Sequence, residues 1–162
     1  MCLLVAVLGI AGCGGADRPS LVKVSGKVLL DGKAVEGATV YFKRETPDPK
    51  YRRPSRATTN AQGEFTPGTY GTDDGIPLGK YKVGVMKVEY VDKPANFNEE
   101  NPAATPAKVK WLIPKQVSDP ETSGLVVEVT SSGMSPSELK VDSGGTPPMI
   151  ESTAPTRRAN EP

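Results

Sequence analysis

The chain has 162 residues, of which 36% are hydrophobic, with 17 Gly and 16 Pro, and its 20 basic and 19 acidic residues leave a net charge of +1. That length suits one ordinary domain, and no attraction to nucleic acid or to an anionic membrane follows from the net charge. Without histidine and with Cys2 and Cys13 as its two cysteines, the chain lacks the commonest general base and metal ligand, and a mature form starting at Cys13 has neither a disulfide partner nor a Cys/His zinc site.

In chain order, Leu3 to Gly12 is an uncharged apolar run. It is too short for a membrane span, which needs about 20 apolar residues, and matches the hydrophobic region of a secretory signal. The run ends in Ile10-Ala11-Gly12-Cys13, which resembles a bacterial lipobox. That resemblance implies cleavage before Cys13 and acylation of its thiol and new amine. Residues 1–12 are then a lipoprotein signal peptide and residues 13–21 a tether. Each buried CH₂ of the acyl chains contributes about 0.8 kcal/mol to anchoring. The short n-region, Met1-Cys2, carries no Lys or Arg and departs from the usual leader. The competing reading is an apolar N-terminal strand, for which the glycines are poor material.

From Val22 to Leu30 apolar residues alternate with Lys23, Ser25 and Lys27, the period-2 pattern of a half-buried strand. Asp31-Gly32 is a turn signal, and Gly37 to Lys43 alternates again, with Ala38, Val40 and Phe42 on one face. Glu45 to Pro54 is a loop with three prolines and the basic group Lys50, Arg52 and Arg53. Arg56–Thr59 and Gly63–Thr66 flank Asn60-Ala61-Gln62 and predict a tight hairpin. Pro67 to Leu78 is a second loop. Gly79 to Val85 is a strand with Tyr81, Val83 and Val85 inward, continued toward Val91. Asp92 to Ser123 has little regular pattern. Gly124 to Thr130 presents Leu125, Val127 and Val129 on one face, and Ser135 to Asp142 offers a last strand with Leu139 and Val141. Residues 143–162 are too polar to offset their ordering entropy and predict a disordered tail. About seven short strands over residues 22–142 point to an all-β sandwich. Its expected core is Val24, Val28, Val40, Phe42, Phe65, Tyr81, Val83, Val85, Leu125, Val127, Leu139 and Val141.

Several of these segments together carry a resemblance: Val24-Ser25-Gly26-Lys27-Val28, Asp31-Gly32-Lys33, Gly37 to Phe42, Thr59 to Phe65, and Gly79 to Val83. With Ile113-Pro114-Lys115 and Ser118 to Leu125, they resemble the carboxypeptidase regulatory-like, transthyretin-like domain of bacterial lipoproteins. The resemblance implies a seven-stranded, Greek-key-type β-sandwich of the transthyretin (prealbumin) kind with long loops. In that family the sandwich is an accessory with catalysis elsewhere. The implied role is a non-catalytic binding or structural module, not an enzyme, and without a cofactor. Its location is the bacterial cell envelope, held to a membrane through lipid on Cys13, with the domain outside the cytoplasm. An envelope protein or a glycan is the expected partner, and nucleic acid is not. The alternative is a carbohydrate-binding module.

Candidate binding residues are Tyr51, Arg52 and Arg53, which suit an anionic glycan or phosphate, and Phe97 and Trp111, whose rings suit sugar stacking. Against these stand plainer readings: an exposed basic loop, and core packing of Trp111 beside Leu112 and Ile113. Asp31 with Asp73-Asp74 invites a calcium reading but lacks the ordered spacing of a calcium loop, so no metal site is assigned. Glu99-Glu100 reads as solvated. The length of Asp92 to Ser123 marks it as the expected binding element, a loop that leaves the sheet at Tyr90 and is pinned back by Trp111 to Ile113. The rival reading makes Trp111 to Ile113 an edge strand or a plug of the core.

Overall fold

A computed structural model describes residues 18–49, 52–97 and 107–153. The leader, Cys13, Tyr51, Glu99-Glu100 and residues 154–162 lie outside the described residues. The described chain is all-β, without an α-helix, and no helix in it is long and apolar enough to cross a membrane. In chain order the strands are β1 (Leu21–Val22), β2 (Gly26–Leu30), β3 (Lys33–Ala34), β4 (Thr39–Arg44), β5 (Ser55–Thr58), β6 (Glu64–Phe65) and β7 (Ile76–Pro77). They continue with β8 (Gly79–Met86), β9 (Val88–Asp92), β10 (Lys108–Trp111), β11 (Leu125–Thr130), β12 (Gly133–Ser135), β13 (Glu138–Val141) and β14 (Met149–Ser152). A single 3₁₀ turn, Lys115–Ser118, precedes β11.

The largest sheet has the order β12-β11-β8-β4-β5. A second sheet is built on β2, with β13 parallel on one side and β3 and β6 antiparallel on the other. The inward side chains of both sheets form one hydrophobic cluster, consistent with a β-sandwich. The Phe42 ring lies 5.9 Å from Phe65 of the opposite sheet and 6.1 Å from Tyr81. Burying side chains of this size contributes about 1.5–3 kcal/mol each. Every expected core residue is buried except Leu125, which packs partly buried against the cluster.

Local geometry explains the turns. Asp31 and Gly32 both have positive φ, at 51° and 78°, and join Leu30 to its partner Lys33. A two-residue hairpin loop of the mirror-image kind requires this. The expected hairpin over 56–66 is corrected. β5 pairs with β4 while β6 pairs with β2, so the segment between them is a corner that carries the chain from one sheet to the other. The Asn60 side chain accepts hydrogen bonds from the N–H groups of Gln62 and Glu64, at 3.0 and 2.9 Å. Gly63, at φ 75°, turns its carbonyl toward the Val28 N–H, 2.8 Å away. A Cβ at Gly63 would press on the carbonyl oxygen of Val28 and on the Ala34 side chain.

Two further expectations change. Where the sequence suggested about seven strands, the described residues hold fourteen, because corners and short breaks divide the longer runs. The predicted tail from Ser143 contains β14, which pairs antiparallel with β10 over Met149–Trp111 to Ser152–Lys108. β10 also pairs with β9, making a three-stranded sheet, β14-β10-β9, whose middle strand lies inside the expected Asp92–Ser123 loop. The segment is polar, but its backbone groups find partners on β10. Thr153 adds two more bonds, donating its N–H to the Ala107 carbonyl at 2.9 Å and accepting the Ala107 N–H on its hydroxyl at 2.9 Å. Tertiary partners of this kind override local composition.

Candidate functional site

β8 has two ends, and they divide the molecule. Its first residues, Gly79 and Tyr81, face Val129 and Arg44, and its last residue, Met86, faces Thr39. The β4–β5 loop and β7 therefore gather at the start of β8. β1 is held there by pairing Leu21 with Pro77 and Val22 with Ile76. The three-stranded sheet continues from the opposite end through β9. We call these the entry pole and the far pole.

At the entry pole lies a cavity of about 550 Å³. Tyr81 and Phe42, both buried, border it from the core. Pro47, Pro49 and Pro54 come from the β4–β5 loop, Pro77 from β7, and Tyr41 and Tyr70 complete the apolar wall. The Tyr81 hydroxyl donates to the Pro77 carbonyl at 2.6 Å. Burial raises its pKa above the ordinary tyrosine value, against the opposing pull of the Arg44 guanidinium, so it stays a neutral phenol. Arg44 itself is committed, donating to the Leu78 carbonyl at 2.7 Å and standing 3.6 Å from Asp48.

The loop before β7 is shaped by Asp74. Its carboxylate accepts the N–H groups of Thr69, Tyr70 and Gly71, at 2.7, 3.1 and 2.7 Å. Desolvation pushes the carboxyl pKa up, but the hydrogen bonds outweigh it and hold the value below the usual carboxylate range. The calcium reading of Asp73-Asp74 with Asp31 therefore has a structural replacement. Asp74 organises a turn, and Asp31 accepts the Ser143 N–H at 2.9 Å. Among the described residues no cluster of three acidic or sulfur ligands is found.

This turn presents Tyr70 to two guanidinium groups. Arg18 lies 4.7 Å and Arg53 5.7 Å from its ring centroid. A second concavity of about 780 Å³, also bordered by Tyr70 and Arg53, adds Arg56 and Asp73 to the same ridge. Arg52 and Arg53, expected as binding residues, thus stand at the mouth of the first cavity. Tyr70, Tyr41 and Arg18 were not picked out by sequence reasoning. The one visible signal was a lone tyrosine in the turn-rich Pro67–Leu78 loop.

The structure does not bring Phe97 and Trp111 to this site. Both belong to the far pole. Phe97 packs on Tyr90, with ring centroids 4.7 Å apart and the Lys93 ammonium 4.9 Å from the Tyr90 ring. Trp111 is half-buried in β10, the middle strand of its sheet, and its indole N–H donates to Glu151 at 3.2 Å. Lys115 lies 5.6 Å from the Trp111 ring and donates to both Glu151 oxygens at 2.7 Å. Ile113, not Trp111, enters the main core. The expected open binding loop is corrected in its second half: residues 108–118 form a strand and a 3₁₀ turn.

The cavity suits recognition. Guanidinium groups grip an anionic group, and proline and tyrosine walls take a flat or apolar body. The buried polar side chains beside it are Ser55 and Thr69, whose hydroxyls bond each other at 2.8 Å. Thr69 donates onward to the Gly75 carbonyl at 2.7 Å. No protein-family model, no curated protein and no solved structure matches this chain.

Proposed function

We propose that this chain is a lipid-anchored, non-catalytic binding module of the bacterial cell envelope, taking an anionic, partly apolar ligand at the entry-pole cavity. The observation that carries the reading is the apolar cavity with Arg52 and Arg53 at its mouth. The lipobox-like Ile10-Ala11-Gly12-Cys13 supports the anchor. The transthyretin-like, Greek-key arrangement is part of the same proposal. Its support is that β2 and β13, early and late in the chain, lie side by side, while β4, β5, β8, β11 and β12 between them form the facing sheet.

The alternative, a carbohydrate-binding module, needs open ring faces. The Tyr90 and Phe97 rings pack on each other, and Lys93 and Lys115 lie against the rings of Tyr90 and Trp111. Its support is therefore weaker.

Two measurements test the proposal. Cys13→Ser is expected to release the protein from the membrane fraction or leave the leader uncut. Unchanged membrane association with an unchanged mature N-terminus overturns the anchor. On a glycan array the protein is expected to retain acidic glycans at most, through Arg52 and Arg53. Retention of neutral glycans that is lost in Trp111→Ala restores the carbohydrate reading.

A further inference from the structure

We propose that the entry pole docks on anionic phospholipid headgroups, through Arg18, Arg52, Arg53 and Arg56 around Tyr70. This deepens the reading above and rests on its lipid anchor at Cys13. The net charge of +1 gives no reason to expect such a surface; the fold creates it by bringing Arg18 and the 52–56 segment together on Tyr70 from a third segment.

Three observations carry the inference. The first is reach. Arg18 lies five residues beyond Cys13 in the sequence, a span of at most about 17 Å of extended chain. β1 is tied to β7 immediately afterwards, so a lipid on Cys13 holds this pole, and not the far one, next to the bilayer.

The second is charge without a partner. Among the described residues, none of Arg18, Arg52, Arg53 and Arg56 forms an ion pair with a carboxylate; lysines such as Lys27 and Lys110 are unpaired too, but these four arginines are gathered around one tyrosine. Of the nearby acids, Asp74 is occupied by backbone N–H groups and Asp48 faces Arg44. Asp73, on the lip of the second concavity, offsets one of the four cations. The third is the shape of the ridge. Arg18 and Arg53 both lie against Tyr70, and Leu78 at the same pole is 46% exposed. An amphipathic ring and an apolar side chain among arginines suit the headgroup layer, where phosphates accept paired guanidinium hydrogen bonds. An acyl chain with a basic patch is a stronger anchor than either alone.

The test is hydrogen–deuterium exchange on the chain anchored through Cys13 to vesicles of phosphatidylcholine alone or mixed with phosphatidylglycerol. Where native lipid is absent, a maleimide lipid coupled to the Cys13 thiol of a Cys2→Ser chain supplies the anchor, so failure of the lipidation reading leaves this measurement intact. The amides of Tyr70 to Gly75 are expected to slow on phosphatidylglycerol and not on phosphatidylcholine, while those of Lys108 to Trp111 stay unchanged on both. Each Arg→Gln substitution at positions 18, 52, 53 and 56 should lower the docked-to-undocked ratio about fivefold, and added salt should reverse the protection. Equal exchange on the two vesicles, or full protection in the fourfold variant, overturns the proposal. The same protection from soluble glycerol 3-phosphate on phosphatidylcholine vesicles overturns the membrane as the source, leaving a site for a free phosphate ester.

Discussion

Strands β8 and β10 both lie inside a sheet with neighbours on each side, yet they are held in different ways. β8 buries Tyr81, Val83 and Val85 on its inner face against the second sheet. Gly84, facing the other way, lies so close to the Ser118 carbonyl and the Pro120 ring that a side chain there would collide with them. β10 buries Val109, leaves Trp111 half-exposed, and belongs to a sheet whose edge strand shows Met149 and Ile150, the latter 59% exposed. The far-pole sheet is braced instead by Glu151 between Lys115 and Trp111 and by ring contacts. A central place in a sheet secures the backbone hydrogen bonds; deep burial comes from a second layer packed across the face.

The largest expected effect tests that contrast directly. Phe42→Ala removes a ring in contact with both Phe65 and Tyr81 and should cost about 3–5 kcal/mol in denaturant unfolding. Trp111→Ala deletes a larger side chain from a half-buried position and should cost clearly less. An equal or greater loss for Trp111 would show that the far-pole sheet carries as much of the stability as the main core.

A smaller effect is expected from ending the chain at Asp142, which removes β14. The amides of Val109 to Trp111 should lose exchange protection while those of β8 keep theirs. If β8 loses protection in parallel, the two regions unfold as one unit and the comparison breaks.

The smallest effect sharpens the electrostatics on the outer face of the main sheet. Glu121 sits 2.8 Å from Lys43 and 2.5 Å from Lys82. The hydrogen bonds from these two ammonium groups hold its pKa down at about 2, against 4.5 for the free group. A carboxyl depressed in the folded state stabilises it above the unfolded pKa, and that contribution is lost as pH falls from about 4.5 toward 2. The group is exposed, so the effect should be modest and should shrink with salt. Glu121→Gln should flatten the stability profile in that window; a slope unchanged by the substitution would assign the acid sensitivity to other groups.

What the amino-acid sequence determined by itself is which side chains face inward and where the sharpest turn falls. The alternation of Val40 with Phe42, of Tyr81 with Val83 and Val85, and of Val127 with Val129 is a property of an extended backbone, and it predicted burial position by position. Asp31-Gly32 was legible for the same reason, because positive φ is a local demand. Which strand pairs with which was decided by the tertiary structure. β6 leaves β5 for β2, β13 joins β2 in parallel, and the polar Met149–Ser152 becomes a strand because β10 offers it unpaired backbone groups. The candidate site shows the same division. Arg52 and Arg53 could be read from a basic loop, but their meeting with Tyr70 and Arg18 depends on the β1–β7 pairing and on the turn held by Asp74. Facing is written in the period of a single strand, whereas pairing depends on hydrogen bonds between segments far apart in the chain, and no local pattern encodes those.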